Sequence, residues 1–320
     1  MNPLASIEIG SNSIRMLIAE KGDSDSPLRP VLRRRVITRL GEDFNRKEIG
    51  TIKPGPMARS LTALKDFFGI ARKCGVSSPI VVATGVVRKA GNRNDFITLI
   101  AERLGHSVKI VSGQEEADLT LRGVLSSLND RRELLVIFDC GGGSTEFIWA
   151  NNGGGESTSI ELGVVVLTED YLITDPPKDG EIYRLIRHIE DTFKIRLDPL
   201  KERGKGGFSI VGTGGTTVTL AAMIHGIPVN DFNETKMNGL VIRRKDIGLL
   251  FEKMKGMTRA ERLDLKGLEI GREDIIVAGT LMVMKIMDYF EKDEIIVSCS
   301  DLLEGILINH ITVHKIKENG

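Results

Sequence analysis

The stretch Glu8-Ile-Gly-Ser-Asn-Ser-Ile-Arg-Met-Leu-Ile18 decides the architecture, because it aligns without gaps on Asp139-Cys-Gly-Gly-Gly-Ser-Thr-Glu-Phe-Ile-Trp149. Each copy follows a short apolar run, Leu4–Ile9 in one and Leu134–Phe138 in the other. Each then has an acid, a glycine, a serine (Ser13 or Ser144) and a second apolar stretch. A glycine-rich β-turn-β lets successive backbone N–H groups point into one concavity, which is an anion nest. The acid at the strand end cannot favour a phosphate directly. It makes sense if it holds a divalent cation that bridges phosphate oxygens. An ordinary hairpin turn explains one such stretch, but two gap-free copies, one opening each half of the chain, favour a pair of phosphate clips.

The chain has 320 residues, and at ~100–200 residues per domain this length implies two domains. We read them as residues 1–128 and 129–300, with a C-terminal helix over 301–320 packing back on the first. Hydrophobic residues make up 41% and charged residues 28%, which describes a globular rather than a disordered chain. Forty-four basic residues balance 44 acidic ones, which excludes a globally basic nucleic-acid coat. Aromatic content of 5%, with one Trp, speaks against a base-stacking platform. No apolar run is long enough to span a bilayer, and the first residues lack the pattern of a secretory signal. Cys74, Cys140 and Cys299 are odd in number and show neither disulfide nor metal spacing. These features predict a cytoplasmic enzyme that binds neither membrane nor nucleic acid.

Between the repeats, strands and helices alternate. Strands are expected at Ile14–Ala19, Pro30–Leu40, Ile80–Ala83, Val108–Val111, Thr145–Ala150, Phe208–Val211 and Glu294–Val297. Helices are expected at Met57–Cys74, Asp95–Leu104, Gln114–Leu128, Asp179–Phe193, Thr216–Ile224, Ile275–Phe290 and Asp301–Lys317. Turns are expected at 22–27 and 151–155, with a charged connector at 129–133. The alternation predicts an α/β fold with mostly parallel sheets. A third glycine cluster, Val211-Gly-Thr-Gly-Gly-Thr-Thr217, opens a helix whose N-terminus can receive a phosphate through Gly214, Gly215 and Thr216. It is not a dinucleotide fingerprint, since Thr217 stands where the third glycine would be, and the chain has no P-loop.

With these motifs in view, the sequence resembles the exopolyphosphatase/guanosine pentaphosphate phosphohydrolase family, within the superfamily of acetate and sugar kinases, heat-shock chaperones and actin. Ile7–Ile18 resembles the family's first phosphate motif and Ile137–Glu146 its second. Ala83-Thr-Gly-Val-Val-Arg-Lys-Ala-Gly-Asn-Arg93 and Val111-Ser-Gly-Gln-Glu-Glu-Ala117 resemble two further motifs, and Ile160–Gly163, Val211–Thr217 and Leu303–Gly305 complete the series. The resemblance implies two actin-like (ribonuclease H-like) domains with an interdomain cleft. It implies hydrolysis of a terminal phosphoanhydride of polyphosphate or guanosine pentaphosphate with Mg²⁺ (Mn²⁺ as a substitute), Glu116 as general base and Asp139 as metal-binding acid. Glu146 corresponds to a second acid that helps hold metal or water, and the family suggests a homodimer. The chain resembles the family's short members, which lack a further helical domain. Two departures stand out. Glu8 replaces the usual Asp, and Leu303 replaces an Arg.

The resulting candidate site comprises Glu116 and Glu146 for catalysis, and Asp139, Glu8 and Glu146 for the metal. Phosphate would be met by Gly10, Ser11, Asn12 and Ser13, by Gly141, Gly142, Gly143, Ser144 and Thr145, and by Gly214, Gly215 and Thr216. Arg88 and Arg93 bracket a turn after a strand and supply forked donors for a polyanion, and Arg272 precedes a long helix as a further phosphate contact. Helical neighbours diverge by ~100°, so only one of Glu115 and Glu116 can serve the site, the other lying in an acidic first turn. Glu146 should share the strand face of Ser144. Cys140 reads as packing, and the five histidines show no metal spacing. Two other readings stay open: a phosphotransferase of the same superfamily, and a non-catalytic sensor of polyphosphate or alarmone.

Overall fold

A computed structural model describes residues 3–22, 27–44, 49–128, 134–151, 154–198 and 207–319. The connector at 129–133 and the centres of the turns at 22–27 and 151–155 lie outside the described residues. The chain divides into two compact units, Met1–Ser127 with Ser300–Gly320, and Leu128–Cys299.

The first unit contains β1 (Leu4–Ile9), β2 (Ser13–Lys21), β3 (Leu28–Ile37), α1 (Pro54–Lys73), β4 (Ile80–Ala83), α2 (Gly85–Lys89), α3 (Arg93–Leu104), β5 (Lys109–Ile110) and α4 (Gly113–Leu125). Its sheet has the order β3-β2-β1-β4-β5. Strand β2 is buried on both faces, hence its near-continuous apolar run. Met16 and Ile18 join Leu64, Phe67, Phe96 and Ile100 of α1 and α3. Leu17 and Ala19 face the other way, toward Leu303 and Leu307.

The second unit contains β6 (Leu134–Cys140), β7 (Thr145–Asn151), β8 (Gly154–Ile160), α5 (Val164–Tyr171), α6 (Asp179–Arg196), β9 (Ser209–Thr213), α7 (Gly214–Ile224), α8 (Glu234–Met237), β10 (Val241–Arg243), α9 (Arg244–Lys255), α10 (Arg259–Arg262), α11 (Ile276–Tyr289) and β11 (Glu294–Val297). The sheet order is β10-β11-β9-β6-β7-β8. Helix α11, apolar or small over Ile276–Met284, packs against α5, α6, α7 and α9, and its charged Lys285 and Asp288 pair near its C-terminal end. The last helix, α12 (Leu302–Asn319), returns to the first unit and packs on α4.

The expectation of mostly parallel sheets needs correction. β1–β2, β2–β3, β6–β7, β7–β8 and β10–β11 are antiparallel, whereas β1–β4, β4–β5, β6–β9 and β9–β11 are parallel. For β1–β2 and β6–β7 the cause lies in the repeats themselves, since a tight glycine turn can join only antiparallel strands. Among the described residues no helix is long and apolar enough to cross a membrane.

Candidate active site

In the first unit, the turn between β1 and β2 is closed by the Gly10 N–H donating to the Ser13 carbonyl at 3.0 Å. Its outward carbonyls are occupied. Ser11 O accepts from Gly41 N at 2.8 Å, and Asn12 O accepts from Thr38 and Arg39 N at 3.0 and 2.8 Å. The Ser11 and Asn12 N–H groups donate to nothing among the described residues, which is the arrangement of an anion nest. The Ser11 hydroxyl accepts from Val86 N at 3.1 Å and so fixes the start of α2. Gly85, with φ of +35°, is required there, since a Cβ would stand 2.5 Å from that hydroxyl.

Glu8, expected at the cation, has its carboxylate taken by Arg15, which stands opposite it in the β1–β2 register and donates from Nε at 2.6 Å. Arg15 also pairs with Asp301, at the start of α12. Burial pushes the Asp301 carboxyl up, yet the Arg15 and Arg33 guanidinium groups outweigh it and hold the group below the ordinary carboxylate range. Glu304 reaches back to the Asp301 N–H at 2.9 Å and pairs with Arg33 of β3, which joins this network. Leu303 is buried beside Leu17 and Leu28; the arginine-to-leucine departure is therefore filled by core packing.

Glu115 and Glu116 do separate. Ser112 caps α4, and Glu115 completes a capping box with it while also meeting Lys109 at 2.9 Å. The Lys109 bond first, and the Ser112 N–H second, bring the Glu115 carboxyl down to about 2. Glu116 instead accepts from Arg88 Nη1 at 2.7 Å. Arg88 lies in the short helix α2, too brief to show a periodicity, and the turn between it and Arg93 is narrowed to Gly91 and Asn92. Arg93 begins α3, is exposed, and donates to the Arg88 carbonyl at 3.0 Å.

The second unit repeats the turn. Gly141 N–H donates to Ser144 O at 2.9 Å, the counterpart of Gly10 and Ser13. The N-terminus of α5 binds the carbonyls of Gly141 and Gly142, from Val164 N and Val165 N at 2.9 and 3.0 Å, and the N–H groups of Gly142 and Gly143 have no described partner. Thr145 is buried, with its hydroxyl on Leu162 O at 2.6 Å. Asp139 stands directly opposite Glu146 in the β6–β7 register. The same pair of positions that holds Glu8 and Arg15 in the first unit thus holds two acids here. Glu146 is buried and accepts at one oxygen from both Ser144 (2.8 Å) and Ser159 (2.7 Å). Gly214, at φ +78°, abuts the Asp139 carboxylate so closely that a Cβ would overlap it, and a Cβ on Gly215 would overlap the Arg272 guanidinium. Arg272 is buried and meets Glu269 at 3.3 Å. The Thr216 hydroxyl approaches Cys140 O at 3.5 Å. Burial, then the charges of Asp139 and Glu146, push the Cys140 thiol up, so it is inert packing.

No group of three or more His, Cys, Asp or Glu side chains among the described residues could enclose a metal. Asp139 and Glu146 offer carboxylate oxygens, with the Ser144 and Ser159 hydroxyls against Glu146. That set fits Mg²⁺, which keeps waters and takes one or two carboxylates with substrate phosphates, better than a metal needing a protein cage. His310 is half-buried, and the His314 side chain lies outside the described residues. Arg15 and Asp301 in the first unit, and Ser159 in the second, contact these acids, and Asp301 and Ser159 lie outside every motif quoted above. Arg15 and Glu146 occupy the same repeat position, and that change of sign is the one signal the sequence offers.

Two units, each with a mixed sheet opened by a glycine hairpin, define an actin-like two-domain α/β protein. Residues 17–314 match the Ppx/GppA phosphatase family, and the chain belongs to that family. It is 30% identical over 319 residues to exopolyphosphatase 2 of Mycobacterium tuberculosis, covering 96% of this chain and 98% of that protein. It is 31% identical over 315 residues to the bifunctional 3-dehydroquinate synthase/phosphatase of Fusobacterium nucleatum, covering 96% of this chain but only 46% of that protein. The solved Aquifex aeolicus PPX-GPPA enzyme is similar with a TM-score of 0.77 at 31% identity, covering 96% of this chain and 99% of that one.

Proposed function

We propose that the protein is a phosphohydrolase that releases the terminal phosphate of inorganic polyphosphate or guanosine pentaphosphate, with Mg²⁺ and a water activated by Glu116. The observation that carries this reading is the pairing of Asp139 and Glu146 across β6–β7 beside a glycine turn with unpartnered N–H groups. Two adjacent carboxylates repel a bare polyanion, so they favour it only with a divalent cation between. When bound, Mg²⁺ would neutralise non-bridging oxygens and acidify water.

The chain's own groups then divide the work. Asp139 and Glu146 would hold the cation, Glu146 being oriented by Ser144 and Ser159. Glu8 instead neutralises Arg15, so the first hairpin receives phosphate through backbone N–H groups without a metal. Gly10–Ser13, Gly141–Thr145 and Gly214–Thr216 supply amide and hydroxyl donors where charge builds on the phosphoryl oxygens. Arg272, held against Gly215, adds a fixed positive charge at the N-terminus of α7. Glu116 would take the proton from water as its oxygen bonds to the terminal phosphorus, the bridging P–O bond would break, and orthophosphate and the shortened chain would be released.

The test is phosphate release from polyphosphate and from guanosine pentaphosphate, measured side by side with Mg²⁺ and with chelator. Chelator-sensitive release from either substrate supports the reading. Tight binding with no release under any divalent cation would favour a sensor, and transfer to an added nucleoside diphosphate would favour a phosphotransferase.

A further inference from the structure

Arg88 joins three parts of the first unit. Its helix is fixed to the first hairpin through Ser11 and Val86. Its Nη1 donates to Val111 O at 3.0 Å and to Glu116 Oε2 at 2.7 Å. Both bonds leave from the same nitrogen, and among the described residues Nε and Nη2 have no partner. The guanidinium thus holds the carboxylate by one prong with the rest of its fork unused. The two side chains are 21% and 12% exposed, so the pair is neither locked in the core nor lost in solvent.

A phosphoanhydride carries more charge than a carboxylate and accepts two parallel bonds from an arginine fork. It is therefore the stronger partner for this group. An arginine on a carboxylate also stabilises the charged form and opposes proton uptake, so a pair kept intact throughout turnover would work against a base. The geometry points to a partner exchange: Arg88 holds Glu116 in the free protein and turns its fork to the arriving polyanion, leaving the Glu116 carboxylate to accept the proton of water. Arg88 is then a positioning residue before binding and a phosphate contact after it, and the base becomes competent only when substrate is present. This inference rests on Glu116 being the base.

A double-mutant cycle in ligand affinity tests it without using turnover. The probe is bismethylene triphosphate, a non-hydrolysable polyphosphate, titrated calorimetrically with Mg²⁺ into wild type, Glu116→Gln, Arg88→Gln and the double variant. Removing the carboxylate frees Arg88 for phosphate, so Glu116→Gln should tighten binding about fivefold when Arg88 is present, the scale of a part-exposed ion pair. In the Arg88→Gln background the same change should alter affinity less than about twofold. Equal gains in both backgrounds would mean that only bulk charge repulsion has been relieved, and would overturn the exchange. If Arg88→Gln does not fold, the cycle is run with Arg88→Lys, which keeps charge but lacks the fork. The Glu116→Gln gain should again shrink, and an undiminished gain would count against the proposal. Phosphate release by Glu116→Gln is assayed separately: retained turnover would end the base assignment whatever the cycle gives, whereas lost turnover with additive affinities would end only the exchange.

Discussion

Replacing Gly214 with alanine perturbs the candidate site through the backbone alone. Gly214 has φ of +78°, in the left-handed region, where a Cβ costs ~1–2 kcal/mol. The new methyl would also overlap the Asp139 carboxylate. Asp139 has a short side chain on a strand end in register with Glu146, so its escape is an off-rotamer rotation costing about 0.5–1.5 kcal/mol. The sum is about 1.5–3.5 kcal/mol, and for a unit of this size each kcal/mol lowers Tm by roughly 2–4 °C. Gly226, just past the end of α7 with φ of +61° and nothing within 4 Å of where a Cβ would stand, is the matched control: alanine there meets the backbone strain without the overlap. The assay is thermal melting alongside Mg²⁺-dependent phosphate release. Both variants should melt earlier, Gly214→Ala more so. Gly226→Ala should keep wild-type turnover, while Gly214→Ala should lose about 10–100-fold, the usual cost of disturbing groups that orient a metal ligand. Equal turnover in the two variants would refute the link between Gly214, Asp139 and the cation.

Other outcomes follow from the same geometry. Ser159→Ala removes a hydroxyl donor to the buried Glu146, costs about 1–3 kcal/mol, and should raise the Mg²⁺ concentration for half-maximal phosphate release, read by metal titration. Because the Glu115 carboxyl is lowered from 4.5 to about 2, its stabilising share is complete above about pH 4.5 and vanishes as pH falls through about 2. Its exposure keeps that share below about 1 kcal/mol, so urea melts of wild type and Glu115→Gln should differ slightly at neutral pH and converge near pH 2. Cys140→Ser should retain phosphate release, and a thiol-reactive dye should label half-buried Cys74 ahead of buried Cys140 and Cys299 in the folded protein.

The features legible in the sequence were those with local causes. The two hairpins show themselves because a tight turn, an acid and an apolar strand each demand particular residues at fixed spacing. The same is true of α11, whose opening run Ile276–Met284 has no charged residue. The remaining features depend on register or on long-range packing. β8, Gly-Gly-Glu-Ser-Thr-Ser-Ile, is polar and glycine-rich, and only its pairing with β7 makes it a strand. α5 opens with Val-Val-Val-Leu, a run that favours a strand by propensity and is helical because its N-terminus binds the second glycine turn. The opposition of Arg15 to Glu8, and of Glu146 to Asp139, follows from a hairpin register that fixes which positions face one another. Asp301, far along the chain, reaches Arg15 only through the return of α12.

The central claim is that Glu116 activates a water for attack on a cation-bound phosphoanhydride. Its most direct test is phosphate release from polyphosphate in heavy-oxygen water with Mg²⁺, comparing wild type with Glu116→Gln. The account predicts release by wild type with one solvent oxygen in each orthophosphate, and at least a hundredfold slower release by the variant, the scale of general-base catalysis at about 10²–10⁴-fold. Release at the wild-type rate by Glu116→Gln, or orthophosphate without solvent oxygen, would contradict it.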